Sequence, residues 1–497
     1  MSHISIAERD DSGRLLATYL CAAGEHTRSD TPSFSIKQKR TDWRRLLSNV
    51  FLPAGYPASV SPDYLQYQIY NALQAFCSSL ASLIASRAVL EGHGVGNADA
   101  SATHAIFLTV LQDIFSRLTT IVSGYYLGTS LFPEAKTYRL LADIFNDAAI
   151  VLDTLSPHLD GVVLSLRYPF VLSGSGSSLR VSALCLSGAS RALCGMVAGG
   201  SKAALTVHFA SPGQGTGDVG DLNAKDGSKE TVLALLGMLS GTAVMHYVHS
   251  ARATYLVLFV LTFLHLFGNY LAVRVVVLRS LNRQRANIVW MAYRAHIKGP
   301  MGGKRPLVLT PEAVAARERI FANPSALHDT SSPAHPFLGI CKVGSSFSSL
   351  ASRQQSAPRG ALAAPSPPQI HTILEIFSEE PYVLWFGPTS GPSCRLHVFL
   401  KDGHKPRDHL KAWTHAQEAA IMLNGRQPGS FEVALAAVQT SYALVEDLFP
   451  PFLDAVRGVG WRIDEGGILA GSPRTISVKV HDMSADSVSV FEDKKTI

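Results

Sequence analysis

The sequence predicts a mainly α protein: a multi-pass helical membrane bundle followed by a small α+β C-terminal domain. Three observations predict it. Residues 254–273, TYLVLFVLTFLHLFGNYLAV, contain no Asp, Glu, Lys or Arg. As a helix rising about 1.5 Å per residue, this stretch spans about 30 Å, the hydrocarbon thickness of a bilayer. Apolar residues crowd between about 68 and 278, while both flanks read as soluble chain. Towards the C-terminus, YVLWF and CRLHVFL have the composition and alternation of strands around the turn GPTSGPS.

Composition narrows the function classes. Of the 497 residues, 47% are hydrophobic and 16% charged; the charged share lies below the roughly 25% of soluble domains. The net charge of +6 comes largely from clusters at Lys37–Arg45 and Arg274–Arg305, which suit a membrane surface. No basic stripe interleaves with aromatics, so nucleic acid is not an expected partner. The six cysteines, Cys21, Cys77, Cys185, Cys194, Cys341 and Cys394, show no CxxC and no metal spacing. The N-terminus has no signal-peptide pattern, so the first span is expected to serve as the targeting signal.

Residues 1–50 read as a polar, loosely ordered segment. FLPAGYPASVSPDYLQYQ follows, where Ser61 before Pro62 predicts an N-cap with proline at the first helical position. Tyr64, Tyr67 and Tyr70 then recur at spacing three, as in an interfacial aromatic belt. Six candidate spans follow, at roughly 68–90, 103–127, 134–157, 181–209, 231–249 and 253–278. Only the last is strong by hydropathy; the others carry the small and polar residues of helices that face one another. The basic residues after the last span mark its cytoplasmic side, and an even number of spans puts both basic flanks there.

GMVAG places Gly195 and Gly199 at GxxxG spacing, and GMLSG does the same for Gly237 and Gly241. Both pairs are expected to let helices approach closely. EAKTYRLLADIFNDAAIVLDTL is the richest segment chemically. Asp143, Asn146 and Asp147 share one helix face, and Arg139 is placed to pair with Asp143. Carboxylates in a membrane bundle mark ion or proton paths; a structural ion pair is the alternative. Arg191 and Lys202, eleven residues apart on the next segment, return to one face. They are read either as a basic face for the acidic one or as interfacial residues whose heads reach water.

The remaining motifs are weaker. GHGVGNADA from Gly92 lacks the strand and the Gly-Lys-Ser/Thr ending of a phosphate loop, so it reads as a connector. DLNAKDGSKET, which holds Lys225, reads as a charged loop. His208, His246 and His265 read as hydrogen-bonded helix contacts rather than metal ligands. No Ser/His/Asp set, HExxH or nucleotide fingerprint appears; no enzyme is expected and the sequence specifies no cofactor. Residues 291–367 read as a Ser/Pro/Ala-rich linker after a helical domain at 51–290. Residues 368–470 form the α+β domain and 471–497 a polar tail. Within that domain DHLKAWTHAQEAAIML is helical, and SYALVEDLFPPFLDAVRGVGWRI is a helix kinked or restarted at Pro450 and Pro451 and followed by a strand.

FLPAGYPASVSPDYLQYQ, GHGVGNADA, AKTYRLLADIFNDAA, AGGSKAALTVHFA, DLNAKDGSKET and SLNRQR occur in the order found in the root UVB sensitive (RUS) family. The chain resembles that family from Phe51 to about Arg285, and more weakly to about Trp461. The resemblance implies a multi-pass membrane protein. Plant members are associated with root responses to ultraviolet-B light, auxin distribution and pyridoxal phosphate metabolism. Asp113, Asp143, Asn146, Asp147 and Lys225 match the family pattern. Gln112-Asp113 replaces its usual Lys-Asp, Thr120 its downstream Arg, Gly200-Ser201-Lys202 its Ala-Thr-Arg, and Ser228-Lys229-Glu230 its Ser-Gln-Glu.

Two functions are compatible with this pattern. The first moves or senses a small polar or charged solute, with Asp113, Asp143, Asn146, Asp147, Arg191, Lys202 and Lys225 along its path. The second is a membrane-anchored scaffold, assembling with itself or a related RUS protein through small-residue faces and recruiting partners through the C-terminal domain. A soluble helical domain with an unusually apolar core is a third reading. The bilayer is the expected partner in the first two.

Overall fold

The computed structural model describes residues 3–9, 15–22, 34–38, 43–93, 95, 102–159, 179–212, 217–248, 250–298, 307–332, 334–351, 362–388, 391–471 and 473–478. The chain divides into two compact units, Met1–Arg279 with Ala315–Phe321, and Ser280–Val314 with Ala322–Ile497.

The first unit opens on an antiparallel sheet, where the sequence suggested loose order. Its strands are β1 (His3–Arg9), β2 (Leu15–Ala22) and β3 (Phe34–Gln38), in that order. HISIAER and LLATYLCA pair in register, Ser5 opposite Leu20, as their alternation allows. A short helix α1 (Trp43–Phe51) leads into the bundle.

Each of the six apolar segments forms one helix: α2 (Tyr64–Gly92), α3 (Ala102–Leu127), α4 (Ala135–Leu155), α5 (Leu179–Phe209), α6 (Val219–Tyr247) and α7 (Ala251–Val275). Four are long and apolar enough to cross a membrane: α2, Ala105–Leu127 of α3, α5 and α7. The α4 and α6 helices, counted among the six from sequence, do not qualify on that measure. They are the most highly charged helices of the bundle.

Helix starts follow hydrogen-bond chemistry. The α2 N-cap is Asp63 rather than Ser61. Ser61 instead donates its hydroxyl to Asp63 Oδ1 at 2.5 Å, while Asp63 Oδ2 accepts from His208 Nε2 at 2.9 Å and the Val277 amide at 2.7 Å. This carboxylate ties α2, α5 and the end of α7 together. Tyr64 and Tyr67 do not form an aromatic belt; both are buried against Phe209.

DLNAKDGSKET is helix rather than loop. Asp218 caps α6 by accepting from the Gly220 and Asp221 amides, and Lys225 lies on the second turn of that helix. Asp226 faces inward and accepts from the Tyr64 hydroxyl and Gln68 Nε2, each at 3.0 Å. The spacing Leu222, Asp226 supplies a buried stripe that outweighs the polarity of the segment.

The two glycine pairs differ. A Cβ on Gly237 would lie 2.6 Å from Ser79 Cβ, and one on Gly241 would lie 2.8 Å from Leu83, so these glycines set the approach of α6 to α2. Gly195 and Gly199 meet nothing within 4 Å and so make no close helix contact in this chain. The close glycines of α5 are Gly188, against Gln112, and Gly200, against Leu131. Gly237→Ala is expected to cost about 1–3 kcal/mol through overpacking. Gly195→Ala should be neutral or stabilising by up to about 1 kcal/mol. Thermal unfolding of the detergent-solubilised chains measures the difference.

The second unit begins well before residue 368. Its helix α8 (Arg283–Lys298) is followed by α9 (Pro311–Ala315), β4 (Ala326–His328), β5 (Phe337–Val343), α10 (Ser348–Ala351), α11 (Pro367–Ile376), β6 (Tyr382–Phe386), β7 (Cys394–Lys401), α12 (Pro406–Met422), α13 (Phe431–Gly458) and β8 (Thr475–Ile476). The stretch read as a linker, 291–367, thus supplies the second half of α8 and two of the sheet's strands. The sheet order is β4-β5-β7-β6, with β8 beside β7. The β6–β7 hairpin is antiparallel, with Leu384 opposite Val398; β5 and β8 run parallel to β7. One core packs Trp290 of α8 with Trp385, Trp413 and Phe452. The basic residues read as a cytoplasmic flank are partly core residues. Arg283 donates to the Ile468 carbonyl at 2.7 Å, and Arg294 pairs at 2.8 Å with the fully buried Glu418.

The α13 helix continues through Pro450 and Pro451, so it does not restart there. The segment after it makes an isolated bridge, Arg462 with Ser280, rather than a strand.

Candidate functional site: a polar cavity in the helical unit

The helices of the first unit line an open cavity of about 560 Å³, within the range of small-molecule sites. Its wall from α2 is a row of small polar residues, Gln74, Ser78, Ser79, Ser82 and Ser86. Positions 78, 79, 82 and 86 fall at i, i+1, i+4 and i+8, so this face of the helix is hydroxyl-rich.

The acidic wall comes from α4 and α7. Arg139 Nη1 bonds Asp143 Oδ1 at 2.8 Å, one turn apart on α4 as the spacing predicts. His265 of α7 lies between the two carboxylates: its Nδ1 is 2.7 Å from Asp147 Oδ1, and its Nε2 is 3.4 Å from Asp143 Oδ2. All three side chains are more than nine-tenths buried. Asp147 Oδ2 is buried without a hydrogen-bond partner among the described residues. Asn146 donates to Ser78 Oγ at 3.0 Å and joins the acidic wall to the serine row.

A second ion pair also lines the cavity. Lys202 of α5 reaches Glu230 of α6, with Nζ 2.7 and 2.8 Å from the two carboxylate oxygens. Both line the cavity, as does Cys194. A solute in this space meets the Lys202–Glu230 pair, the Arg139, Asp143 and His265 cluster, and the serine hydroxyls of α2.

The residues singled out from sequence therefore separate. Asp143, Asn146 and Lys202 line the cavity, and Asp147 stands behind His265. Arg191 pairs instead with Asp153 at another level of α4 and α5. Lys225 lies near the start of α6, outside the cavity lining. Asp113 is on the outer face of α3 in an exposed pair with Arg117. Arg191, Lys225 and Asp113 do not share the site. GHGVGNADA, apart from its first residues, lies outside the described residues.

Sequence reasoning missed Glu230, the serine row and the carboxylate partners of His265. His265 and His208 do make helix-to-helix hydrogen bonds, both to carboxylates. His265 sits eleven residues after Thr254, at the centre of the most apolar segment, and that placement was the available signal. Among the described residues no group of three His, Cys, Asp or Glu is arranged to hold a metal.

Residues 37–296, more than half of the chain, match the family model described as the vitamin B6 photo-protection and homoeostasis domain. The chain belongs to the root UVB sensitive family. Every helix lining the cavity lies inside the matched RUS domain. RUS family member 1 of Dictyostelium discoideum is 33% identical over 298 residues, 59% of this chain and 53% of that protein. Protein root UVB sensitive 3 of Arabidopsis thaliana is 28% identical over 424 residues, 85% of this chain and 84% of that one. Protein root UVB sensitive 2, chloroplastic, of the same plant is 23% identical over 418 residues, 84% and 82% respectively. The match spans about half the length of the Dictyostelium relative. No solved structure matches this RUS chain.

Proposed function

We propose that this chain is an integral membrane protein that binds and moves, or senses, a small polar or charged solute in the cavity between α2, α4, α5, α6 and α7. The carrying observation is the cavity itself. Polar and ionisable residues on helices of this kind are costly unless they face water or a ligand, and here they converge on one space of about 560 Å³.

The description of the RUS domain names vitamin B6. Vitamin B6 compounds are small pyridine alcohols, aldehydes and amines, and their phosphates are anionic. Lys202 suits a phosphate or other anionic group, and the serine row suits ring hydroxyls. The His265–Asp147 pair suits a proton or a cationic ring nitrogen.

The test is uptake of labelled pyridoxine and pyridoxal 5′-phosphate into proteoliposomes. Lys202→Gln is expected to lower flux of the phosphorylated compound by about tenfold, the scale of one lost charge-assisted hydrogen bond. Asp147→Asn is expected to remove the pH dependence of flux. Unchanged flux and pH profile in both variants, at equal protein level, would count decisively against the proposal.

The scaffold reading draws support from the exposed glycines Gly195 and Gly199 on α5, which leave room for another helix. Deleting residues 368–497 is not a clean test of it, because that cut removes β6 and β7 from the sheet that contains β4 and β5. Removal from about residue 322 onward takes out the whole sheet; a scaffold then loses its function, and a transporter keeps flux.

A further inference from the structure

The α3 helix packs on α5 through one narrow face. Leu108 and Ser123 are buried there. Gly188 of α5 comes so close that a Cβ would meet the Gln112 carbonyl oxygen at 2.8 Å. The rest of α3 faces outward. Of its most apolar stretch only 6% is buried, against 33–39% for the other three candidate spans. Ile106, Phe107, Leu118, Ile121 and Tyr125 are all more than half exposed, as suits lipid.

The middle of the same face does not suit lipid. Asp113 Oδ2 lies 2.7 Å from Arg117 Nε, with the two side chains 56% and 76% exposed. The apolar stretch Ala105–Leu127 has its midpoint near Ser116, so the pair sits within about 5 Å of the span's centre along the axis. Charges at that depth are costly and normally face a protein interior or a water-filled space. Arg117 is ten residues, about 15 Å, from the end of the helix, too deep for its head to reach the interface as residues near helix ends do.

We propose that the outer face of α3 is a dimer interface, and that a second copy of this chain covers it. The charge pattern argues for a second copy over another partner. Both copies share one membrane orientation, so the two-fold axis runs along the membrane normal. Asp113 then faces the Asp113 of the second copy, and the two Arg117 side chains lie one turn away. Each guanidinium carries five donors in a fork, enough for its own Asp113 and for that of the other copy. Two carboxylates and two guanidiniums close a neutral ring around the axis. Thr120 and Gly124 continue this face at helical spacing, and a Cβ on Gly124 would meet only Met196, at 3.8 Å. Small residues beside the ring let two helices approach. The inference does not depend on the identity of any solute.

A charge swap tests it. Two differently tagged copies of the full chain are co-expressed and purified in mild detergent through one tag. Co-purification of the second tag is scored, and mass is read by light scattering. The wild type is expected to run as two chains. D113R alone, or R117D alone, brings four like charges together; co-purification falls at least about tenfold and each variant runs as one chain. Co-expression of D113R with R117D restores co-purification to within about twofold of wild type, because one copy now carries both positive charges and the other both negative. A wild type of one-chain mass overturns the proposal. So do single variants that stay dimeric, or folded single variants that fail to pair with each other. If a single variant does not accumulate, Asp113→Leu with Arg117→Leu replaces it. This uncharged face is expected to give a folded monomer, and a persistent dimer overturns the proposal.

Discussion

Replacing His265 by leucine is expected to destabilise the helical unit by about 3–5 kcal/mol, the cost of removing one partner from a buried charged network. The imidazole is 2% exposed and bonds Asp147 at 2.7 Å. Without it, Asp147 loses its partner from α7 and Asp143 loses one member of its ion-pair set. Leucine matches the apolar surroundings of α7 but leaves Asp147 as an uncompensated carboxylate beside Asp143. Adding Asp147→Asn to the leucine variant should recover part of the loss, since the amide carries no charge to strand. Thermal unfolding of the purified variants in one detergent measures both effects. A single variant within about 1 kcal/mol of wild type would mean that the cluster does not hold α4 to α7.

The second unit is expected to lose stability steeply as the pH falls from about 6.5 to about 4. Three of its histidines are buried as neutral rings. Burial pushes His415 down to about 3, with the nearby Lys411 acting in the same direction. Burial also pushes His397 down to about 4, helped by Lys342 and Arg395, and His409 down to about 4, helped by His404. In the unfolded chain each titrates near the ordinary 6.5. Above that value both states are neutral and pH does not matter. Below it the unfolded chain binds protons that the folded unit refuses, so stability falls as pH falls. Each such histidine adds about 1.4 kcal/mol per pH unit to the slope until its folded value is reached.

His415 is the clearest case. It is fully buried, with Nδ1 3.1 Å from the Tyr382 hydroxyl and Nε2 2.9 Å from Ser441 Oγ. Amide hydrogen exchange of α12 and β7, corrected for the intrinsic pH dependence, should show protection falling across this window. His415→Gln should make the slope shallower by about one proton. A slope unchanged by that substitution would exclude His415 as a source of the acid sensitivity.

Much of the helical unit could be read from sequence, because membrane-type helices depend on local signals. Length, apolarity and small-residue content located all six, each within a few residues at most ends. The start of α6 is the exception. DLNAKDGSKET looks like a loop by composition, and only Tyr64 and Gln68, about 160 residues away, show that Asp226 has an interior to face. The same limit hid Glu230 as the partner of Lys202. Distant pairing also explains the misplaced linker. Strand β5 is short and apolar, and its identity rests on parallel pairing with β7, as in Cys341 opposite Leu396. No local pattern records such a partner.

Within the site, the i,i+4 rule found the Arg139–Asp143 pair because both partners lie on one helix. It could not decide between Arg191 and Lys202, which share a helix face yet reach Asp153 and Glu230 on different neighbours. The face was legible, whereas the neighbour was a matter of tertiary packing. The GxxxG pairs teach the same lesson: Gly237 and Gly241 meet α2, while Gly195 and Gly199 meet open space.

The most direct test of the account is the reactivity of single cysteines towards a small, charged, membrane-impermeant thiol reagent, in a cysteine-free chain held in lipid nanodiscs. Ser82→Cys on the cavity wall is expected to react, and to be protected when pyridoxal 5′-phosphate is present. Ile121→Cys, 70% exposed on the outer face of α3, is expected to stay unmodified because lipid or a second copy covers it. Rapid labelling at Ile121 together with no labelling at Ser82 would contradict the account, since the bundle would then be wetted outside and closed within.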